Sequence, residues 1–387
     1  MTEWRECKLG DVCSIKGGKR LPKGSLLKKE PNSHPYIRVK DMGRKWIKID
    51  SEYKYVPDEV FPYIKNYTVH THDIVLSIVG TIGLVGIVDS SLNNANLSEN
   101  CVKLICRHQE CDNTFLYYYL ISDIGQAEID KGIVGSTQPK LPIYNINNIN
   151  IPLLPLPEQK AIAEVLSSLD DKIDLLTRQN KTLEDLAQAY FRKWFIEDAS
   201  DEWEVGKLGD EFNITMGQSP KGETYNDLKI GLPFFQGKAE FGFRFPLEKH
   251  YCSKPIKIAD KFDTLLSVRA PVGALNMALY KCCIGRGLAI PIHKKGYKHY
   301  TFYKMKSLQE LFNTFDDDGT VFGSISREKF LSIDNVIPPE KLVCYFDNFA
   351  KYFDLKIYEN TVQIRTLSKL RDTLLPKLIS GEIRVKI

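Results

Sequence analysis

Residues 4–11 read Trp-Arg-Glu-Cys-Lys-Leu-Gly-Asp, and residues 203–210 read Trp-Glu-Val-Gly-Lys-Leu-Gly-Asp. Further pairs of similar segments follow along the chain, and their offset falls stepwise from 199 to 184 residues. One such pair is Pro35–Lys40 and Pro233–Lys238. A period this long excludes a solenoid. The sequence therefore predicts two copies of one module, each with a globular part followed by a helical part.

The helical part of each module carries apolar residues at alternating spacings of four and three, which predicts a coiled-coil seam. If the two helices pair antiparallel with their ends aligned, Asn180 faces Asn360, and we expect these side chains to touch because a polar Asn in a seam fixes register. Pro376 predicts that the second helix kinks or ends there. The predicted seam residues are Ile162, Leu169, Ile173, Leu176, Asn180 and Leu183 in the first helix, and Phe353, Ile357, Asn360, Ile364 and Leu367 in the second.

Short β-branched segments and two proline clusters complete the predicted architecture. The fold class is α+β, with two homologous α/β domains related by pseudo-two-fold symmetry and separated by two long antiparallel helices that form a coiled-coil spacer. A first helix of about 50 Å would match roughly 15 base pairs of duplex DNA. The predicted divisions are 1–156 for the first domain, 157–196 for the central helix, 197–338 for the second domain, and 339–387 for the C-terminal helix and tail.

Charge is concentrated rather than general. The net charge is only +4, but residues 16–48 hold eleven Lys and Arg against two acids, and residues 249–306 hold twelve against two. One basic segment in each module favours phosphate contact over an ordinary solvated surface. A two-fold repeat in one chain also suits duplex DNA, whose half-sites are met by two-fold symmetric proteins.

Several classes of protein are disfavoured by the sequence. No apolar run has transmembrane length and the first residues are not those of a signal peptide, so we expect no membrane partner. Nine cysteines without framework spacing indicate reduced thiols in a cytoplasmic protein. No phosphate-binding loop, dinucleotide fingerprint or nucleophile constellation is convincing. Cys106, His108 and Cys111, with Cys101, are spaced poorly for zinc. We therefore predict no catalytic residue and no metal site.

Recognition is the chemistry that the residues favour. Arg38 and Lys40 correspond to Gln236 and Lys238, so a lysine is kept while its neighbour changes. This pattern suits a shared phosphate anchor beside a variable base reader, although two exposed strand-edge residues explain it equally well. Arg269 could instead pair with a nearby acid, and the Gly-rich loops, including Gly319-Thr320, could be simple turns. The residues that we expect to contact DNA are Lys19, Arg20, Lys23, Arg38, Lys40, Thr137, Gln138, Gln218, Lys221, Gln236, Lys238, Arg244, Arg269, Arg286 and Ser324.

Taken together, these motifs resemble the specificity subunits of type I restriction-modification systems, and the resemblance covers the whole chain. The blocks that carry it include residues 4–11, 154–163, 266–273 and 374–382. It implies two target recognition domains that each read half of a split DNA sequence. It also implies that the helices set the gap and bind two methyltransferase subunits, which restriction subunits then join. No cofactor is expected in this chain, while S-adenosylmethionine, ATP and magnesium are expected in the partner subunits.

The sequence departs from an equal repeat in two ways. The first module lacks the Gln218-Ser-Pro220 string and has Val79–Gly83 in place of Arg269–Gly273, so we expect the two modules to read different sequences. Glu340-Lys341 stands where the first proline block has Glu158-Gln159, which predicts unequal docking of the methyltransferase subunits. Two alternatives to a DNA-reading subunit stay open at this point. One is a nuclease or methyltransferase in its own right, which would need a cofactor or metal motif. The other is a coiled-coil scaffold that never meets DNA, which would show no salt-dependent DNA binding.

Overall fold

A computed structural model describes residues 4–315 and 323–386 of the chain. The chain divides into two compact units: unit 1 comprises residues 1–173 and 365–387, and unit 2 comprises residues 174–364. The loop residues Gly319 and Thr320 lie outside the described part of the chain. Among the described residues, no helix is both long and apolar enough to span a lipid bilayer.

Unit 1 is built around a mixed five-stranded sheet in the order β2-β8-β5-β6-β4, beside two small two-stranded sheets, β1-β9 and β3-β7. Strand β8 lies antiparallel to both β2 and β5. The elements are β1 (Arg5–Lys8), α1 (Leu9–Val12), β2 (Cys13–Gly17), β3 (Tyr36–Ile37), β4 (Trp46–Ile47), α2 (Phe61–Ile64), β5 (Ile74–Ser77), β6 (Val85–Val88), β7 (Asn96–Leu97), β8 (Cys101–Cys106), α3 (Asn113–Ile121), α4 (Asp123–Lys131), α5 (Ile143–Asn147) and β9 (Asn150–Leu153).

The segment 113–131 forms two helices, α3 and α4, separated at Ser122. The backbone of Ser122 is extended, and its hydroxyl accepts a hydrogen bond from the amide of Gly125 at the start of α4. Serine in this position caps a new helix rather than continuing the old one. A local hydrogen bond therefore decides the break.

Unit 2 repeats the plan of unit 1 with a divided sheet. A four-stranded sheet has the order β11-β19-β16-β17, a five-stranded sheet has the order β12-β14-β13-β18-β15, and β10 pairs with β20. The elements are α6 (Leu156–Arg192), which enters unit 2 from unit 1, then β10 (Glu204–Lys207), α7 (Leu208–Glu211), β11 (Phe212–Met216), β12 (Tyr225–Asn226), β13 (Leu232–Phe235), β14 (His250–Cys252), β15 (Ile258–Ala259), β16 (Thr264–Ser267), β17 (Leu275–Met277), β18 (Cys282–Ile284), β19 (Leu288–His293), α8 (Lys298–Ser307), α9 (Gln309–Thr314), α10 (Arg327–Leu331), β20 (Asp334–Ile337) and α11 (Glu340–Ile379).

The repeat in the sequence is a repeat in backbone contacts. The amide of Lys8 donates to Asp11 Oδ2 at 3.0 Å, and that of Lys207 donates to Asp210 Oδ2 at 2.7 Å. The strand that precedes each of these turns pairs antiparallel with the strand that leads into a long helix. The same short hydrogen-bonded turn therefore opens both modules.

Within unit 2, the two long helices run antiparallel. Residues with higher sequence numbers on α6 contact residues with lower sequence numbers on α11. The rings of Phe191 and Phe346 lie 5.3 Å apart, and the side-chain Nδ2 of Asn360 donates to Asn180 Oδ1 at 2.9 Å. Both asparagines are almost fully buried, at 3% and 1% exposure. The predicted Asn180–Asn360 contact is confirmed, and with it the predicted register.

Within unit 1, the same pairing holds at the other ends of the helices. Ile162 and Leu378 belong to one buried core, and Arg371 Nη1 lies 2.7 Å from Asp170 Oδ1. Helix α11 passes through Pro376 and ends at Ile379, so it does not end at Pro376, and the alternative of a kink there stays a prediction. A proline one turn from the end removes few helical hydrogen bonds.

The predicted seam is only partly buried. Ile162, Leu176, Asn180, Ile357 and Asn360 are buried. The other predicted seam residues are half-buried. The half-buried residues are Leu169, Ile173, Leu183, Phe353, Ile364 and Leu367.

Candidate nucleic-acid interface

Three strand ends meet at one end of the unit 1 sheet. Strand β8 runs antiparallel to β2 and β5, so the end of β2, the end of β5 and the start of β8 lie together. The chain after β2 stays close, since the amide of Lys19 donates to the carbonyl of Leu97 at 2.8 Å. Arg20 follows, and its Nε donates to Glu99 Oε1 at 2.6 Å. Lys19 and Arg20 are exposed, as is Lys23 further along this segment.

The segment after β3 lies at the same end of the sheet. The amide of Ser98 donates to the carbonyl of Ile37 at 3.1 Å, which places Arg38 and the exposed Lys40 beside the residues before β8. The Arg38 guanidinium makes a two-bond ion pair with Asp41, at 2.8 and 2.7 Å. Within the described residues no carboxylate pairs with Lys40, so its ammonium can meet a ligand, whereas Arg38 would first have to release Asp41.

The predicted loop residues lie in a turn at the same end of the sheet. Val79, which follows β5, forms a β-bridge with Lys140. The tight turn just before that bridge includes Gly135 at φ +91°, a backbone conformation that favours glycine. Thr137 and Gln138 in this turn are exposed. The seven predicted residues of unit 1 thus lie on three segments, 19–23, 38–40 and 137–138, around one sheet end, which we call the unit 1 surface.

Unit 2 presents an equivalent surface at the end of β11 and the start of β19. The amide of Gln218 donates to the carbonyl of Ile284 at 3.2 Å, and the amide of Gly285 donates to the carbonyl of Phe235 at 2.8 Å. These bonds bring the residues after β11, β13 and β18 together. The exposed predicted residues on these segments are Gln218, Lys221, Gln236, Lys238 and Arg286.

The remaining part of this unit 2 surface comes from the segment after β16. Arg269 forms a β-bridge with Ser324, and the amide of Ala270 donates to the carbonyl of Gly323 at 3.0 Å. Arg269 and Ser324 are exposed. Within residues 4–315 and 323–386, no carboxylate pairs with Arg269, so the alternative of a salt bridge finds no support there. Arg269 with Ser324 matches Val79 with Lys140 in unit 1.

Close backbone approach makes both surfaces possible. A Cβ on Gly18 would lie 2.0 Å from the carbonyl oxygen of Ser98, and one on Gly217 would lie 2.1 Å from that of Gly285. No side chain fits such a gap. Glycine at these two equivalent positions therefore lets the segment after β2 lie directly against the segment before β8, and the segment after β11 against the segment before β19.

The prediction that Arg244 contacts DNA is wrong. Its side chain has no exposed surface, and Nη1 lies 2.6 Å from Asp354 Oδ1. Nη2 donates to the Tyr303 hydroxyl at 3.1 Å and lies 3.5 Å from Glu184 Oε1. Burial alone would lower the pKa of Arg244, but the neighbouring Tyr303 and Asp354 raise it, so the guanidinium stays charged. Arg244 is a structural cation that joins a loop to both long helices.

Unit 1 has a related anchor between sheet domain and helices. The Tyr118 hydroxyl donates to Asp170 Oδ2 at 2.6 Å, and Arg371 supplies the cation at 2.7 Å. Tyr118 and Asp170 occupy the same places in unit 1 as Tyr303 and Asp354 do in unit 2. The cation differs, however, because Arg371 comes from α11 and is 30% exposed.

The structure also corrects the alignment of the two proline blocks. The amide of Gln159 donates to Pro155, and that of Val343 donates to Pro339, so Val343 and not Lys341 is the counterpart of Gln159. Gln159 is buried, and its side chain bonds the backbone of Glu110 and Leu154. The Glu158-Gln159 block therefore holds α6 within unit 1 and is not a free docking surface.

Sequence reasoning missed two members of the surfaces, Glu99 and Ser219. Glu99 holds Arg20 in unit 1, and Ser219 Oγ accepts from Arg286 Nε at 3.2 Å in unit 2. Arg20 is equivalent to Ser219 and Glu99 to Arg286, at the offsets of 199 and 187 residues. Aligning the bends before β8 and β19 would have exposed this exchange in the sequence.

A cleft beside the unit 1 surface was also missed. It has a volume of about 290 Å³ and is lined by Lys16, Tyr67 and Lys103 among others. Burial lowers the pKa of Lys103, while the nearby Asp73 raises it. Lys19 Nζ lies 5.5 Å from the centre of the Tyr67 ring. Of the two lysines that line the cleft, Lys16 is exposed and Lys103 is buried beside Asp73.

Two related α/β units that present different side chains from one sheet end define a duplicated recognition protein. Residues 1–185 match the family model described as "Type I restriction modification DNA specificity domain". The MjaX type I restriction enzyme specificity subunit of Methanocaldococcus jannaschii is 30% identical, over 99% of this chain and 94% of that protein. The MjaIX specificity subunit of the same organism is 27% identical over the same shares.

The chain belongs to the family of specificity subunits of type I restriction enzymes. A solved structure agrees on the fold: the type I restriction-modification S subunit from M. genitalium has a TM-score of 0.66 and 20% identity, and the match covers 97% of this chain and 96% of that one. The predicted family and fold class are confirmed. The positions that we expect to contact DNA stay predictions.

Proposed function

We propose that this chain is the DNA-reading subunit of a type I restriction-modification enzyme and that each of its two surfaces reads one half of a divided target. The proposal rests on one observation above all. Segments far apart in the sequence converge at one sheet end in unit 1, and the equivalent segments converge in unit 2. Exposed lysines on both surfaces supply phosphate contacts, and the changing neighbours supply base contacts.

The two surfaces should read different sequences. Arg286 is held at its Nε by Ser219 and keeps the rest of its guanidinium for a ligand, which suits a guanine edge. At the equivalent place, Glu99 is an acceptor already paired with Arg20. A carboxylate in the major groove accepts from cytosine. The exchange of charge at one pair of positions therefore favours two unlike half-sites.

The long helices suit the docking of methyltransferase subunits. Tyr345 and Tyr352 on α11 are 64% and 76% exposed. Their counterparts in the first half of the repeat, 184 residues earlier, are the non-aromatic Ala161 and Ser168, so only one half offers exposed aromatic rings at these two positions. Unequal docking of two methyltransferase subunits thus remains our proposal, although on these residues rather than on the proline blocks.

The wider assembly follows from the same proposal. Restriction subunits join the methyltransferase complex, and S-adenosylmethionine, ATP and magnesium act in those partner subunits. This chain contributes recognition and no catalytic group. We place the site of action in the cytoplasm, where the reduced thiols of this chain are stable.

A salt titration tests this function. The chain is assembled with its methyltransferase partner, and its affinity for duplex DNA is measured by fluorescence anisotropy from low to high salt. We expect the logarithm of affinity to fall linearly with the logarithm of salt, by about 0.9 per phosphate neutralised. DNA binding that is absent, or independent of salt, would instead support a coiled-coil scaffold.

A further inference from the structure

Three buried cysteines of unit 1 form a cluster that DNA recognition does not use. Cys13 lies at the start of β2, Cys106 at the end of β8, and Cys111 just before α3. Their three Sγ atoms all lie within 4.8 Å of one another. Each residue is at most 5% exposed, and none is in a disulfide. The three sulfurs therefore face one small volume inside an apolar core.

Strand pairing and one turn bring the cluster together. Cys13 and Cys106 are direct cross-strand partners, and the bond from the amide of Arg107 to the carbonyl of Val12 makes them a non-hydrogen-bonded pair. In such pairs the side chains approach most closely, and here the Sγ atoms lie 3.1 Å apart. The amide of Cys111 donates to the carbonyl of Arg107, which folds the third sulfur back onto the pair.

Unit 2 shows that the fold itself does not require these thiols. The cross-strand pair equivalent to Cys13 and Cys106 is Phe212 and His293. The residue before the next helix cap is Gly296, and the turn that leads to it has three residues, 294–296, instead of five, 107–111. Unit 1 therefore has both the extra thiols and the longer turn that carries one of them inward.

We propose that Cys13, Cys106 and Cys111 bind a thiophilic d10 cation, for which Zn²⁺ is the probe. Zinc–thiolate bonds of about 2.3 Å place sulfurs roughly 3.8 Å apart, between the 3.1 Å pair and the 4.8 Å limit of this cluster. Soft thiolate ligands select such cations. Binding one Zn²⁺ releases the three thiol protons to solvent. A water would complete the fourth position, because His108 on the same turn is exposed and does not belong to the cluster.

The site would also fasten a long helix to its domain. The amide of Asp112, next to Cys111, donates to Gln159 Oε1 at 2.9 Å, and Gln159 Nε2 donates to the carbonyl of Glu110 at 2.9 Å. A cation on Cys111 holds this turn in place and so supports the start of α6. Zinc should therefore raise the melting temperature of the full chain.

The test uses the full chain purified under reducing conditions without chelator. Bound metal is counted by mass spectrometry of the native protein, and zinc affinity is measured against a chromophoric chelator. We expect one tightly bound Zn²⁺ per chain. Cys111→Ala and Cys13→Ala should each weaken binding at least about tenfold, since each removes one ligand. The matched control is Cys101→Ala, a buried cysteine on β8 whose Sγ faces Ser98 and lies outside the cluster.

Three results would overturn the proposal. The first is a wild-type chain that takes up no stoichiometric zinc, a measurement that does not depend on how any variant folds. The second is zinc binding that survives in Cys111→Ala or is lost in Cys101→Ala. The third is isolation of a Cys13–Cys106 disulfide whose reduced form still fails to bind zinc, which would assign a redox role instead.

Discussion

Glu99 in unit 1 and Arg286 in unit 2 occupy the same bend before an equivalent strand, yet they carry opposite charges. Their partners are exchanged as well, since Arg20 faces Glu99 and Ser219 faces Arg286. The backbone around them is unchanged: Gly18 and Gly217 make the same close approach. The comparison shows that the duplicated framework is fixed by backbone contacts, while the side chains that it presents have diverged.

A second comparison concerns the anchors between domain and helices. Both units use a tyrosine hydroxyl on an aspartate of α6 or α11, but the cation on that aspartate is buried in unit 2 and partly exposed in unit 1. A buried charge left without its partner is costly, whereas an exposed one is rehydrated. The anchors should therefore differ in strength although their geometry is similar.

The largest expected effect comes from breaking the unit 2 anchor. Asp354→Ala removes the nearer of the two carboxylates that pair with the fully buried Arg244, leaves only Glu184 at 3.5 Å, and should destabilise the chain by about 3–5 kcal/mol. Asp170→Ala should cost clearly less, because Arg371 is 30% exposed and can be solvated. Urea denaturation followed by tryptophan fluorescence measures both. Asp185→Ala, which removes an exposed partner of Lys181, is the control and should change stability by less than about 0.5 kcal/mol. Equal losses at Asp354 and Asp170 would refute the distinction.

The next effect tests the close approach of the backbone. Gly217→Ala forces a Cβ to 2.1 Å from the carbonyl oxygen of Gly285 and must displace the bend that carries Arg286. We expect a loss of about 1–3 kcal/mol in specific DNA affinity, in line with overpacking in a tight site. Gly222→Ala meets open space and should bind as the wild type does. Unchanged DNA binding by Gly217→Ala would show that this bend is not part of the interface.

Substitutions of Arg286 and Arg20 give a sharper test of base recognition. Arg286→Ala should relax preference at one base position by about 1–3 kcal/mol, the usual worth of a bidentate arginine contact. Arg20→Ala should change preference less, because that guanidinium is already engaged by Glu99 at 2.6 Å. Competition binding with a set of single-base variants of the target measures both. If the two substitutions relax the same position, the units do not read separate half-sites.

The smallest effect is expected at the two lysines that stand at equivalent positions in both modules. Lys40→Ala and Lys238→Ala should each weaken binding to all sequences alike and reduce the salt slope by about one. Anisotropy titrations at several salt concentrations, with specific and unrelated duplexes, provide the measurement. A change confined to the specific duplex would make these lysines base readers instead of phosphate anchors.

The sequence was informative wherever the signal was local or periodic. Heptad spacing predicted the Asn180–Asn360 contact. Each seam carries one Asn, and the antiparallel register with aligned helix ends places the two opposite each other. Arg244 was misjudged because its partner Asp354 lies 110 residues away and only folding brings the two together. Cys13 was overlooked for the same reason, since strand pairing joins it to Cys106 across 93 residues. Burial and long-range pairing decide such roles, and neither is written in local sequence.

One measurement tests the central claim most directly: genome-wide mapping of adenine methylation by this chain with its methyltransferase partner, in the wild type and in Gln236→Ala. Gln236 is exposed on the unit 2 surface, and its counterpart Arg38 lies on the unit 1 surface. We predict a methylated motif in two parts with a fixed gap, in which Gln236→Ala relaxes one position of one part only. An undivided motif, or a substitution that alters both parts, would contradict the account.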